Sequence, residues 1–193
     1  MPIEIEKKYR LNKRQYTALQ RLLSEIGAQR GAEEFEENTL YQGDALDARR
    51  CVLRLRRIDS GRDAILTFKE RIPSRSSIKH QQEDETHVSE PAAVVAIFRA
   101  LGLTPALVYE KRRTTWRLGD AELMIDELPF GLFLEIEASE AAIRKIQRRL
   151  KTAGLDLAGH AEQRTYPHLA AHHGRLHGSI IEARFDKGRR TRK

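Results

Sequence analysis

Cysteine is almost missing from this 193-residue chain. Cys51 stands alone, so no intramolecular disulfide can form, and a reducing cytoplasmic compartment is the expectation. Long apolar runs are missing as well: no stretch approaches the roughly 18 residues of a membrane span, and the opening MPIEIEKK lacks the apolar centre of a secretory signal. Glycine and proline are sparse, at 12 and 6 residues, which excludes collagen-like and low-complexity chains. No G-x-x-x-x-G-K-[ST] segment is present to cradle phosphates as a P-loop does, and no H-E-x-x-H is present to bind zinc on a helix.

Charge is what the chain has in quantity. Charged residues make up 33% and hydrophobic residues 40%, proportions of a globular domain with enough apolar chain for a core. The net charge of +7 is uneven: six basic residues from Arg184 to Lys193 face Asp186 alone, which leaves the rest near balance. This points to one domain over residues 1–175 and a basic, flexible tail over 176–193. Nucleic acid is expected to meet the tail only, and weakly, since a near-neutral domain offers little to a phosphate backbone. No membrane contact is expected.

Hydrophobic periodicity predicts three helices. Asn12 caps one in which Tyr16, Leu19, Leu22, Leu23 and Ile26 share a face and Gly27 ends the run. A second spans 89–101 with Pro91 in its first turn, and a third starts at a Ser139 cap and carries Ile143, Ile146 and Leu150. Two-residue alternation predicts strands near 3–10, 35–42, 50–59, 63–71, 78–88, 106–118, 120–127 and 131–138, with turns at 59–62, 119–120 and 128–131. The expected class is α+β: eight mostly antiparallel strands closing into a barrel, with helices packed outside.

Each strand splits into an apolar face and a charged face. Ile3 and Ile5 oppose Glu4, Glu6 and Lys8; Leu53 and Leu55 oppose Arg54 and Arg56; Leu66 and Phe68 oppose Thr67 and Lys69. The pattern recurs at Lys79, Gln81, Glu83 and Glu85, at Lys111 and Arg113, at Asp126, and at Glu135 and Glu137 opposite Leu134 and Ile136. On a single strand this is ordinary amphipathicity. Helices outside the sheet need the apolar faces, so in a closed barrel the charged faces all line the interior. An interior so lined must hold water, ions or a charged ligand. Several Arg and Lys side chains suit a polyphosphate, and clustered carboxylates beside phosphate call for a hard divalent cation such as Mg²⁺ or Mn²⁺.

The ordered set E-x-E-x-K (Glu4, Glu6, Lys8), L-R-L-R (53–56), Thr67-x-Lys69, Glu83-x-Glu85, Lys111-x-Arg113, Asp126 and F-x-E-I-E (133–137) resembles the CYTH domain, or triphosphate tunnel metalloenzyme, family over about residues 1–170. Arg164-Thr165-Tyr166-x-x-Leu169 resembles the family's closing segment. The family includes class IV adenylyl cyclases, thiamine triphosphatases and inorganic triphosphatases. Asn38, where relatives carry Asp, and Gln81, where a basic residue is common, depart from the pattern. The resemblance implies an eight-stranded tunnel and Mg²⁺ or Mn²⁺ as cofactor. Arg54, Arg56, Lys69, Lys79, Lys111 and Arg113 would bind phosphate. Glu4, Glu6, Glu83, Glu85, Glu135 and Glu137 would hold metal, with Lys8 and Asp126 as catalytic groups that orient the reactants. The expected activity is hydrolysis of a triphosphate; cyclisation of ATP to cyclic AMP and pyrophosphate is the alternative, and a non-catalytic polyphosphate- or nucleotide-binding module is a third reading. His168, His172 and His173 read as surface residues, and Cys51 as part of an apolar strand rather than a nucleophile.

Overall fold

The computed structural model describes residues 3–49, 51–59, 63–72 and 78–186. Residues 60–62 of the expected turn and residues 187–193 of the expected tail lie outside the described residues. Along the chain run β1 (Ile3–Leu11), α1 (Lys13–Glu25), β2 (Gln29–Gln42), α2 (Asp44–Arg49), β3 (Val52–Ile58), β4 (Asp63–Ile72), β5 (Lys79–His87), α3 (Pro91–Ala100), β6 (Thr104–Leu118), β7 (Ala121–Leu128), β8 (Gly131–Glu137), α4 (Glu140–Thr152), α5 (Tyr166–His173), β9 (Arg175–His177) and β10 (Ile180–Ala183). No helix among the described residues is long and apolar enough to cross a membrane.

Eight strands close on themselves in the order β2-β3-β4-β5-β1-β8-β7-β6, with β6 returning to β2. Every pairing in that ring is antiparallel. The closing pair is made by the two longest strands, of 14 and 15 residues, which run from Gln29 opposite Arg117 to Gln42 opposite Thr104. Register shifts at Arg30/Glu33 and Leu40/Tyr41 interrupt this pair. Such irregularities add the local twist that curls a sheet into a barrel.

The apolar strand faces collect the helices, as their alternation predicts. Asn12 accepts from the Gln15 amide and Gln15 answers to the Asn12 amide, a reciprocal cap that starts α1. Its Leu19, Leu22 and Leu23 join Ile143, Ile146 and Leu150 of α4 over Leu123, Ile125, Leu134 and Ile136. On another side α3 sets Phe98 edge-on against Tyr41, with ring centroids 4.8 Å apart, next to Leu55 and Ala64. Burying these side chains at about 1.5–3 kcal/mol each supplies most of the drive to fold.

Helix α5, which periodicity does not announce, sits differently. Its Tyr166, Leu169 and Ala170 pack on Leu40, Tyr109, Leu128 and Phe133. These share the strand phase of Asn38, Lys111, Asp126 and Glu135, so α5 rests on inward-facing residues at one end of the barrel.

The expected tail beginning at 176 needs correction. β10 pairs parallel to β6 over Leu107–Tyr109, ahead of the stretch from Arg112 that β7 occupies, and β9 pairs antiparallel to β10. Close packing at Gly174 permits this: a Cβ there would lie 2.7 Å from the Ala170 carbonyl oxygen and 2.7 Å from a methyl of Ile181. Arg184 then donates to Glu182 at 2.6 Å, Glu37 at 2.6 Å and Glu110 at 3.0 Å, while the Phe185 amide donates to Glu110 at 2.7 Å. Charge counting mistook this anchored arginine for part of a solvated tail. Arg184→Ala is expected to lower stability by roughly 1–2 kcal/mol, since its charge-assisted bonds are partly screened by water. Denaturant titration would measure it, and an unchanged midpoint would mean that the segment is held by β10 pairing alone.

Candidate active site

Inside the barrel lies a cavity of about 580 Å³, a size common for small-molecule sites. Every candidate named from sequence lines it except Asp126: Glu4, Glu6, Lys8, Arg54, Arg56, Lys69, Lys79, Glu83, Glu85, Lys111, Arg113, Glu135 and Glu137. The strands divide the charge. β3, β4 and β6 supply most of the arginine and lysine, and β1, β5 and β8 supply most of the glutamate, with Lys8 and Lys79 set among it. The cavity therefore has one basic wall and one acidic wall.

Ion pairs hold the walls together. Lys69 reaches across to Glu4 at 2.9 Å and Glu83 at 2.6 Å. Lys79 meets Glu6 at 2.9 Å, and Lys8 meets Glu135 at 3.1 Å with its ammonium 3.9 Å from the centre of the Tyr166 ring. Arg54 donates to Thr67 at 3.0 Å and to Glu85 at 3.3 Å, and Thr67 donates to Glu85 at 2.7 Å. Glu85 is thus drawn to the basic wall, apart from the carboxylates it was grouped with. The Arg54 Nε is buried with no hydrogen-bond partner among the described residues, a donor left open beside the cavity.

Asp126 is wholly buried behind the lining. Arg113 forks onto it through Nε at 2.7 Å and Nη2 at 2.6 Å, and Tyr166 donates to it at 2.8 Å. The same Nη2 donates to Glu135 at 2.6 Å. Asp126 accordingly holds the Arg113 fork and does not line the cavity.

Proton affinities follow this arrangement. Burial, and the hydrogen bond it shares with Glu4, push Glu83 up to about 8 against the pull of Lys69. Burial also acts on Glu4, but the hydrogen bond with Glu83 and the Lys69 ammonium hold it below the ordinary carboxylate value. Glu137 rises to about 7 through burial and the charge of Glu4. Glu135 is held far down in spite of burial by Lys8, Arg113 and Lys111. Lys111 falls to about 8, first through burial and then through repulsion from Arg113.

Among the described residues no three His, Cys, Asp or Glu side chains converge as a metal site; lysines and arginines draw the carboxylates aside. The donor chemistry still fits a hard divalent cation. Glu4 and Glu83 share a hydrogen bond between carboxyl groups, and the raised proton affinities of Glu83 and Glu137 mark carboxyl oxygens short of compensating positive charge.

Sequence reading passed over the lining residues Glu34, Glu36, Thr115, Glu122 and Met124, and gave Tyr109 and Tyr166, which also line the cavity, no role in the site. Glu36 was within reach, because it lies two residues before Asn38 on the same face of β2. Tyr166 was marked only by the resemblance of its segment to the family's closing segment, with no strand phase to aim it, since it reaches the cavity from a helix.

A family model for the CYTH domain matches residues 2–160. Among solved structures, PH1012 from Pyrococcus horikoshii OT3 is 26% identical and superposes with a TM-score of 0.71, covering 84% of this chain and 96% of that one. HpAC1 from Hippeastrum, an adenylyl cyclase candidate with a dominant triphosphatase activity, is 19% identical with a TM-score of 0.64, covering 84% of this chain and 92% of its own. The Pct1 RNA triphosphatase of Schizosaccharomyces pombe is 13% identical with a TM-score of 0.51, covering 81% and 79%. These last two likenesses speak for the fold alone. No curated protein matches the chain. The family match spans both walls of the cavity, from Glu4 to Glu137, and the chain belongs to the CYTH domain family.

Proposed function

We propose that the cavity takes the phosphate chain of a triphosphate and hydrolyses it with Mg²⁺ or Mn²⁺. The observation that carries this reading is the facing of a basic wall by an acidic wall across one cavity, with a buried Arg54 donor still open. Arg54, Arg56, Lys69, Lys79, Lys111 and Arg113 neutralise the chain, with forked and point-charge donors fixed before it arrives. Phosphate oxygens replace carboxylates as the partners of these cations. Glu4, Glu6, Glu83, Glu135 and Glu137 are the groups to hold the cation, while Glu85 steadies Arg54. A hard divalent cation held by these carboxylates would supply positive charge beside the phosphate chain and so ease attack at phosphorus. Lys8 lies between Glu135 and the Tyr166 ring, and Asp126 fixes Arg113; both keep the reactants aligned.

The cations named all address phosphate. Inorganic triphosphate should therefore suffice as substrate and release orthophosphate at least as fast as ATP does, with little or no cyclic AMP from ATP. Incubation with Mg²⁺ or Mn²⁺ and each triphosphate, with products separated by chromatography, tests this. Stoichiometric cyclic AMP and pyrophosphate from ATP, with inorganic triphosphate intact, would replace hydrolysis by cyclisation. A cyclase must align the ribose hydroxyl with the α-phosphorus and has no use for a substrate without ribose.

Protons at Glu137 and Glu83, with values of about 7 and about 8, must leave before these oxygens bind metal. Mg²⁺ affinity is therefore expected to rise between about pH 6 and pH 8 with release of protons. Calorimetry in two buffers of different ionisation enthalpy reads both. A pH-independent affinity would remove these glutamates from the ligand set.

A further inference from the structure

One carboxylate is sunk into the basic wall itself. Glu36 comes from β2, which lies between the two strands that carry most of the cations, β3 and β6. It is wholly buried. Its Oε2 is 3.1 Å from the Lys111 ammonium and 3.3 Å from Arg56 Nε, and it accepts from Asn38 at 3.2 Å. Its Oε1 lies 3.9 Å from Arg113 Nε and has no hydrogen-bond partner among the described residues. Three cations from two strands thus surround one anion that belongs to the protein.

Resting on the reading of this cavity as a phosphate site, we propose that Glu36 is a positioning residue: a fixed internal anion that keeps Lys111 charged and holds Arg56 and Lys111 in place, so that the wall is fully cationic when phosphate arrives. Without an anion at this point the buried cations would repel one another, and the lysine, alone among them, could escape by giving up its proton. Besides Glu36, Lys111 has one other carboxylate in ion-pair range among the described residues, Asp126. The lysine is faced by Glu36 from β2, by Asp126 from β7 at 3.7 Å, by Arg56 from β3, by Arg113 on its own strand, by Glu135 from β8 at longer range and by the Tyr166 ring from α5 at 5.6 Å. Asp126 is already committed to the Arg113 fork and the Tyr166 hydroxyl. Glu36 is then the nearest carboxylate left to the lysine. The Lys111 value of about 8 accords with that marginal balance.

Lysine-selective ¹³C labelling of the full chain tests the proposal directly, with the Lys111 signal identified by its loss in Lys111→Met. Wild-type Lys111 should titrate near its value of about 8, and in Glu36→Gln its midpoint should fall by about one pH unit or more, as the loss of a close opposite charge dictates. Glu36→Asp, which retains the charge, should keep most of the wild-type midpoint. Calorimetry with inorganic triphosphate and EDTA should show binding by Glu36→Gln falling off at correspondingly lower pH. An unmoved Lys111 midpoint in Glu36→Gln overturns the proposal, as does tighter triphosphate binding by that variant at every pH, which would make Glu36 a mere competitor of phosphate. Should Glu36→Gln fail to fold, the wild-type titration still decides: a Lys111 that titrates like an exposed lysine is not held in this balance. A Lys111 shift as expected, with no triphosphate binding by wild type at any pH, would instead sink the phosphate reading and leave the role of Glu36 standing.

Discussion

Arg113→Ala should lower the free energy of unfolding by about 3–5 kcal/mol, the usual cost of stripping one partner from a buried charge pair, and should leave no measurable turnover. The effect is large because one guanidinium serves two carboxylates on two strands: Asp126 through both ends of its fork and Glu135 at 2.6 Å. Asp126 is fully buried and Glu135 nearly so. Alanine leaves Asp126 with Lys111 at 3.7 Å and the Tyr166 hydroxyl, too little for a carboxylate out of water. Arg113→Lys restores a charge without the fork and should recover part of the stability but little of the activity. Denaturant midpoints and phosphate release measure the two losses. A midpoint for the alanine variant within about 1 kcal/mol of wild type would mean that Lys111 has swung over to replace the arginine.

Glu4→Gln should behave in the opposite way, with turnover falling on the order of 100-fold or more in a protein at least as stable as the parent. Glu4 and Glu83 share a hydrogen bond, and Lys69 lies within 3 Å of both. Where the parent's Glu4 carboxylate accepts from a protonated Glu83, an amide at position 4 can still hydrogen-bond Glu83 and removes the like charge that holds Glu83 protonated. Glu83 has a folded-state value raised to about 8, so the parent binds more protons folded than unfolded at this group. Its contribution to stability is therefore lost as pH rises from the ordinary carboxylate range toward 8. The variant should lose less over that interval. Thermal or denaturant midpoints at about pH 5 and pH 8, compared between the two proteins, read the difference. Near-normal turnover at saturating Mg²⁺ would take Glu4 out of the metal-binding set.

Much of this was legible in the alternation of residues. Leu53 and Leu55 against Arg54 and Arg56, or Leu134 and Ile136 against Glu135 and Glu137, state both the strand and its inward face, because a two-residue period has no other reading in a sheet with helices on one side. What stayed hidden depends on contacts distant in sequence. The first part of β2, from Gln29 to Glu34, is polar and contains Gly31, and became strand only by pairing with β6, where a Cβ at Gly31 would lie 3.0 Å from the Thr115 carbonyl oxygen. The two-turn helix α5 has too little apolar periodicity to stand out, and its place is decided by the hydrophobic inner positions of four strands. Asp126 was found by its strand phase, but its burial behind Arg113 follows from side chains meeting across the barrel. Lys69 illustrates the same gap. Nothing local says that it bridges Glu4, far back along the chain, and Glu83 on the next strand.

The pairing of β10 with the first half of β6 also bears on how the molecule behaves in a crowd. A closed barrel has no free rim, yet β6 extends beyond the reach of β7, and over Leu107–Tyr109 its amides and carbonyls would be offered to any passing strand. β10 takes that place, and the outermost strand becomes β9, three residues long, exposed, and bearing Arg175 and His177. Short, charged edges recruit poorly. The segment from Gly174 to Phe185 thus acts as a guard against strand-to-strand association, and a chain cut ahead of it would be expected to aggregate before it lost its barrel.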